Sequence, residues 1–238
     1  MREIKQAIIM AAGKGERMRP LTNTVPKPLI KVNGVRMIES IINALHENGI
    51  EKIYVVVGYQ KELFKYLETQ FDNLQLIENP YWSTSNNISS LYVVRDYLEN
   101  SMILDGDQII INPAVLSTSY KLSGYNSVWQ SEVTKEWLQF VQDGKVVSCS
   151  RDGGSLGWQL FSISRWTQED GKKLKKFVTK EFETNPTSNL YWDDLALFVY
   201  KEEFNLGIYE MNMGDVIEID TFEELKKLDP TYATDMEK

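Results

Sequence analysis

Five apolar residues, Ala7-Ile8-Ile9-Met10-Ala11, run directly into Ala12-Gly13-Lys14-Gly15-Glu16-Arg17-Met18. A short β-rich run that empties into a loop of glycines and cations constrains the chain more than any other feature. It reads as a strand followed by a ligand-binding turn. Glycines at 13 and 15 let the backbone approach a ligand without Cβ clashes, and successive N–H groups in such a turn converge on anionic oxygens. Pro26-Lys27-Pro28 follows about a dozen residues later. The flanking prolines are expected to hold Lys27 extended and stiff, so that little entropy is lost when it grips an anion. Lys14, Arg17 and Lys27 supply the charge that phosphates demand.

The surrounding pattern sets the fold. Ile53–Val57 is a second β-rich run and Met102–Leu104 a third, shorter one. Between them Met37–His46 spaces Met37, Ile38, Ile41, Ile42 and Leu45 as one helical face, and Ile88–Leu98 does the same with Leu91, Val94, Tyr97 and Leu98. Alternating β and α segments predict an α/β fold with a doubly wound, mainly parallel (mixed) sheet, helices on both faces and ligands beyond the carboxyl ends of the strands. The middle changes character. Ser127–Val133, Leu138–Gln142 and Lys145–Ser150 read as strands, the last two joined at Asp143-Gly144 as a hairpin. Lys172–Glu183 and Tyr191–Tyr200 read as helices, Val216–Ile219 as a strand, and Thr221-x-x-Glu224 as a capping-box helix start. With no linker in evidence, residues 1–230 are expected to form a single domain. Its nucleotide half spans about 1–112 and its acceptor half about 113–230, with a small antiparallel region covering substrate. The polar tail 231–238 is expected to fray.

Charge narrows the function. The chain carries 26 basic and 34 acidic residues, net −8, yet residues 1–31 hold seven basic against two acidic, net +5. The remainder therefore carries −13. An acidic protein that gathers positive charge into its first loop is built to receive a small anion there, and it lacks the clustered positive charge that nucleic-acid binding needs. The single histidine, His46, excludes a multi-histidine metal site, and its place on a helix keeps it off the catalytic roster. The lone Cys149 cannot form an internal disulfide, which points to a reducing compartment. No apolar run approaches the roughly 18 residues that span a bilayer, and the apolar core after Arg2 and Lys5 is too short for a signal peptide. The expectation is a cytoplasmic enzyme of small molecules, with no membrane and no nucleic-acid partner.

The loop is not a phosphate-binding Gly-Lys-Ser/Thr motif, and Met18 stands where a dinucleotide fingerprint needs its third glycine. Instead, Ala11 to Met18 with Arg17 in place, followed by Pro26-Lys27-Pro28-Leu29, resembles the nucleotidyltransferases that activate small phosphates with NTPs. The likeness continues at Leu104-Asp105-Gly106-Asp107 and Glu218-Ile219-Asp220, so it covers most of the chain. Asn86-Asn87-Ile88-Ser89-Ser90-Leu91 and Tyr191-Trp192-Asp193-Asp194 are similar to the branch that uses CTP and phosphocholine. The resemblance implies a Rossmann-like NTP-binding fold with Ala11, Ala12, Gly13, Lys14, Gly15, Asn87 and Asp105 at the nucleotide. It also implies Lys27, Arg17 and Lys14 at the reacting phosphates. The implied substrates are CTP and phosphocholine, and the products CDP-choline, for cell-surface decoration, and pyrophosphate. Cytosine over uracil rests on the resemblance alone.

Joining a phosphate to the α-phosphorus of an NTP gathers several negative charges, which a divalent cation must offset. Mg²⁺ takes one or two carboxylates and completes its shell with water and phosphate. Asp107 fits because Gly106 permits a sharp turn after a strand, and Asp220 fits because it ends a strand just before a helix. The resemblance assigns the metal to both. Each also has a bland reading, since Asp105-Gly106 is turn chemistry and Asp220 could serve the helix cap. For the acceptor, a quaternary ammonium is held by aromatic faces and carboxylates. Trp129, Trp137, Trp158, Trp166, Tyr191 and Trp192 are the available rings. Trp137 and Tyr191, with Asp193 and Asp194, are the expected choline site. No Glu-Lys-Pro segment, usual in the sugar-phosphate branch, occurs here. A sugar 1-phosphate or phosphoethanolamine remains the alternative acceptor.

Overall fold

The computed structural model describes residues 1–234. The first run forms strand β1, Gln6–Ala11; Ile53–Val57 is β2, Leu74–Glu78 is β3 and Ser101–Asp105 is β4. β1 lies between β2 and β4, parallel to both, and β3 extends the parallel set beyond β2. Successive side chains of β1 point to opposite faces. Ala7, Ile9 and Ala11 join one core with Ile38, Ile41, Ile42 and Leu45 of α1 (Met37–Glu47). Ile8 and Met10 join a second core with Ile88 and Leu91 of α2 (Ile88–Val93). A strand covered on both faces has no reason to alternate with polar residues. Ile8 and Ile9 are fully buried, each contributing about 1.5–3 kcal/mol.

Beyond β4 the chain turns into β5, Gln108–Ile110, and then builds the antiparallel part from β6 (Gly124–Gln130), β7 (Leu138–Gln142), β8 (Lys145–Ser150) and β9 (Gly157–Trp166). β9 runs antiparallel to β4, β6 and β7, which fuses both parts into one sheet of order β8-β7-β9-β4-β1-β2-β3. Helix α3, Gln168–Thr184, packs into the second core, and β10, Gly207–Glu210, lies parallel to β6. β11, Val216–Glu218, pairs with β5 and leads into α4, Phe222–Leu228. The result is the α/β fold with a mixed central sheet that the alternation predicts. The hairpin turn is also as read: Asp143 and Gly144 both take positive φ, 51° and 74°, the pairing that suits a right-twisted hairpin.

Several local expectations change. The helix expected over 88–98 stops at Val93 and continues as a tight turn, Arg95–Tyr97, after two β-branched valines of low helical propensity. Only Leu195–Val199 of the segment 191–200 is helical, wound as a π-helix. Tyr191–Asp194 is instead a turn closed by the Asp194 side chain, which accepts the Tyr191 N–H at 2.9 Å. The strand expected at 127–133 begins at Gly124 and ends at Gln130. β9 was not legible in the sequence, because its stretch Ser162-Ile163-Ser164-Arg165 looks too polar for a central strand. The buried Arg165 guanidinium is satisfied by the carbonyls of Ser117 and Val115 and by Asn126. At the tail, Thr231–Thr234 forms a helical turn where fraying is expected, and residues 235–238 lie outside the described residues. Among the described residues no helix is long and apolar enough to cross a membrane.

Candidate active site

The carboxyl ends of β1 and β4 open into two adjoining cavities of about 580 and 240 Å³. Arg17, Asn87, Asp105, Asp107, Tyr191 and Asp220 border both. The larger cavity is walled by the loop after β1, through Ala11, Ala12, Gly13 and Gly15, and by Lys27. Gly15 sits at φ 62°, and a Cβ there would lie 2.9 Å from Lys27 Cβ, so loop and lysine share a space that only glycine leaves open. From behind, the Thr22 hydroxyl donates to the Gly15 carbonyl at 2.9 Å and the Tyr59 hydroxyl to the Thr22 carbonyl at 2.8 Å. Pro26 and Pro28 do not hold Lys27 extended. Residues Lys27–Leu29 form a 3-10 turn instead, since the φ imposed by proline also suits the start of a helical turn. That turn buries Lys27 and aims it inward.

The Lys27 ammonium donates to Asp107 Oδ2 at 2.6 Å and to Asp220 Oδ1 at 2.9 Å, and Arg17 pairs with that same Asp220 oxygen at 2.9 Å. Burial alone would lower the Lys27 pKa, but the two carboxylates hold it above the usual lysine value. Burial pushes Asp220 up, while Lys27 and Arg17 outweigh it and hold the carboxyl below its usual range. Asp107 reaches this point because Gly106 lies against β1. Its N–H donates to the Met10 carbonyl at 2.9 Å, and a Cβ there would meet that oxygen at 3.0 Å and Pro28 Cγ at 3.3 Å. Asp220 is not spent on its helix. The cap is a closed box in which Thr221 Oγ1 accepts the Glu224 N–H and Glu224 accepts the N–H groups of Asp220 and Thr221.

This geometry suits a divalent cation. Asp107 and Asp220 already share one cation, the Lys27 ammonium, and would hold Mg²⁺ in its place once Lys27 turned to a triphosphate; Mg²⁺ asks a protein for no more than one or two such groups. Among the described residues no cluster of three or more potential ligating side chains occurs, so the remaining positions would fall to phosphate and water.

The smaller cavity adds Glu136, Trp137, Leu160, Ser162, Asp193 and Glu218. The rings of Trp137 and Tyr191 stand 5.9 Å apart and nearly perpendicular, at 86°. Burial pushes Asp193 up to about 8 and Glu218 likewise up to about 8, the latter aided by Asp107. Asp105, on the shared wall, is raised well above its usual value by burial and then by Asp107 and Asp193. Acids crowded this way favour a cationic ligand, whose charge would let them ionise.

Not every predicted residue reaches the cavities. Lys14 lies outside their walls and pairs with Glu16 at 3.1 Å. Asp194 also stands behind the wall, accepting from the Arg151 guanidinium and the Tyr191 N–H. Asn87 is on both walls, but its Oδ1 is used by the Trp192 N–H at 2.8 Å. Asn79, just past the end of β3, is buried and donates to the hydroxyls of Ser89 and Ser90. Trp166 and Trp192 are core, and Trp129 packs on Trp158 away from the cavities. Glu136, Ser162 and Glu218 were missed as site residues. Glu218 had a signal, since in the motif Glu218-Ile219-Asp220 its two acids are two residues apart at a strand end and so share a face. Ser162 had none, because β9 was invisible.

A glycine loop and a buried lysine face paired acids at the carboxyl ends of parallel strands, an arrangement suited to an anionic ligand and a cation. The chain belongs to the nucleotidyl transferase family, whose model matches residues 6–119. It is 38% identical to a 2-aminoethylphosphonate cytidylyltransferase of Lancefieldella rimae, covering 97% of this chain and 94% of that one. It is 34% identical to the choline-phosphate cytidylyltransferase of Streptococcus pneumoniae, covering 94% and 96%. The solved structure of a CTP:phosphocholine cytidylyltransferase from S. pneumoniae superposes with a TM-score of 0.88 at 33% identity, covering 96% of this chain and 99% of that one.

Proposed function

We propose that this chain is a Mg²⁺-dependent cytidylyltransferase that transfers CMP from CTP to a small phosphate or phosphonate carrying a cationic amine, releasing pyrophosphate. The observation that carries the reading is the seam. Asp107 and Asp220 stand between a nucleotide-sized cavity and a smaller one lined by two rings and several acids. The glycine loop, Lys27 and Arg17 would hold the triphosphate. Bound between Asp107 and Asp220, Mg²⁺ would offset the charge that builds as pyrophosphate departs. The acceptor oxygen is already ionised near neutral pH, so attack on the α-phosphorus needs no protein base and depends on alignment and charge.

The perpendicular Trp137–Tyr191 pair supports phosphocholine as acceptor, with CDP-choline as product, because a trimethylammonium group is held through ring faces. A different observation favours 2-aminoethylphosphonate. Asp193 Oδ1 is buried on the acceptor wall and makes no hydrogen bond of ordinary geometry, although the Tyr125 hydroxyl lies near enough to stabilise its charge. A primary ammonium would donate to that oxygen and a quaternary one has no hydrogen to give. Pyrophosphate release, measured for the four NTPs against phosphocholine, 2-aminoethylphosphonate, phosphoethanolamine and glucose 1-phosphate, tests both. Turnover restricted to CTP with an amine acceptor is expected. Preference for the sugar phosphate, or release with no acceptor dependence, overturns the reading.

A further inference from the structure

Arg151 sits in the loop between β8 and β9, far in sequence from the acceptor turn, yet its side chain reaches the back of that turn. Its Nε and Nη2 donate to Asp194 Oδ1 at 3.1 and 2.6 Å. The other Asp194 oxygen accepts the Tyr191 N–H. The guanidinium also lies over Phe198, 3.9 Å from its centroid, and 5.7 Å from that of Trp137. Phe198 in turn meets Trp137 edge-on at 5.5 Å. One side chain thus touches Asp194, Phe198 and Trp137 together without itself lining either cavity.

We propose that Arg151 is the positioning residue of the acceptor site. Through Asp194 it fixes the backbone of Tyr191, and through Phe198 and the face of Trp137 it fixes the second ring, so the angle between the rings is set from the β8–β9 loop. It has a second effect. By pairing with the buried Asp194 it takes that acid out of play, leaving Asp193 as the carboxylate of the pair that meets ligand. Lysine cannot reproduce this, because only a planar fork can bond an acid through two nitrogens while stacking on rings.

The proposal rests on the amine-acceptor reading, and its test separates the two. Steady-state kinetics of Arg151→Met, Arg151→Lys and the double variant Arg151→Met/Asp194→Asn would use whichever amine acceptor the wild type consumes faster. Hydrogen exchange of the Tyr191 amide is measured alongside, without ligand. Arg151→Met should raise the acceptor KM about tenfold, the scale of a sub-ångström misplacement, with the CTP KM unchanged and Tyr191 exchange faster. Arg151→Lys should recover part of the loss. The double variant should also recover part, because no buried carboxylate is left unpaired. An unchanged acceptor KM, or equal rises in both KM values, overturns the proposal. If the wild type consumes no amine acceptor, the functional reading fails by itself, and unaltered Tyr191 exchange in Arg151→Met would then refute the clamp independently.

Discussion

Gly15 and Gly13 sit two residues apart in one loop, and the structure assigns them opposite sensitivities. Gly15→Ala places a methyl group on a backbone at φ 62°, where an L-residue costs about 1–2 kcal/mol. The new Cβ meets Lys27 Cβ at 2.9 Å and Thr22 Cγ2 at 3.2 Å, so Lys27 must retreat by about half an ångström to restore ordinary contact. A 1 Å displacement of a catalytic group costs up to about 10²-fold, so about a tenfold fall in kcat is expected. The melting temperature should drop about 2–8 °C, at about 2–4 °C per kcal/mol for a chain this long. Gly13→Ala meets nothing within 4 Å and has no positive φ, so its melting temperature should equal the wild type's. Because Gly13 lines the larger cavity, an added methyl there should raise the CTP KM. Thermal melts and pyrophosphate-release kinetics on both variants decide the matter. A Gly15→Ala protein with wild-type stability and turnover, or a destabilised Gly13→Ala protein, would refute the account of the loop.

Three further outcomes follow from the site. Asp220→Asn should cut kcat about 10³-fold and lower the melting temperature modestly, because it leaves the buried Lys27 ammonium with Asp107 alone while the Thr221–Glu224 capping box, which does not use the Asp220 side chain, stays intact; a folded variant with near-normal turnover removes Asp220 from the proposed metal pair. Asp193 has its carboxyl raised from 3.8 to about 8, so the folded state holds its proton longer than the unfolded state does. Its burial therefore costs nothing below about pH 4, and the penalty grows with pH until about 8, by at most about 1.4 kcal/mol per pH unit. Asp193→Asn should accordingly match the wild type in urea melts at pH 4 and exceed it increasingly towards pH 8, and a pH-independent difference would contradict the assignment. Tyr191→Ala should raise the acceptor KM by up to about 30-fold, the equivalent of about 2 kcal/mol from one ring, while the CTP KM stays constant; parallel rises in both would place Tyr191 on the nucleotide instead.

The parallel half of the fold was readable because its signals are local. Ala7–Ala11 and Ile53–Val57 are apolar throughout because helices cover both faces, and Met37–Glu47 repeats its apolar residues at helical spacing because one stripe meets the core. The loop chemistry was equally open, since Gly15, Lys27, Asp107 and Asp220 each sit beside a glycine, proline or strand end that declares a turn. The acceptor side was harder. Trp137 and Tyr191 could be proposed from their polar neighbours, but nothing near Trp192 marked it as core, and nothing near Asp194 announced a guanidinium from the β8–β9 loop.

Chain order alone was enough for the alternating architecture, the glycine-rich cationic first loop and the two acids beside strand ends, because each depends on residues within a few positions of one another. Folding in three dimensions decided which acids share a cation, which rings line the smaller cavity and which polar residues are absorbed into the interior. Lys27 meets Asp220 across 193 positions and Arg151 meets Asp194 across 43. Burial, hydrogen-bond satisfaction and charge pairing are properties of such distant neighbours, which no local pattern encodes.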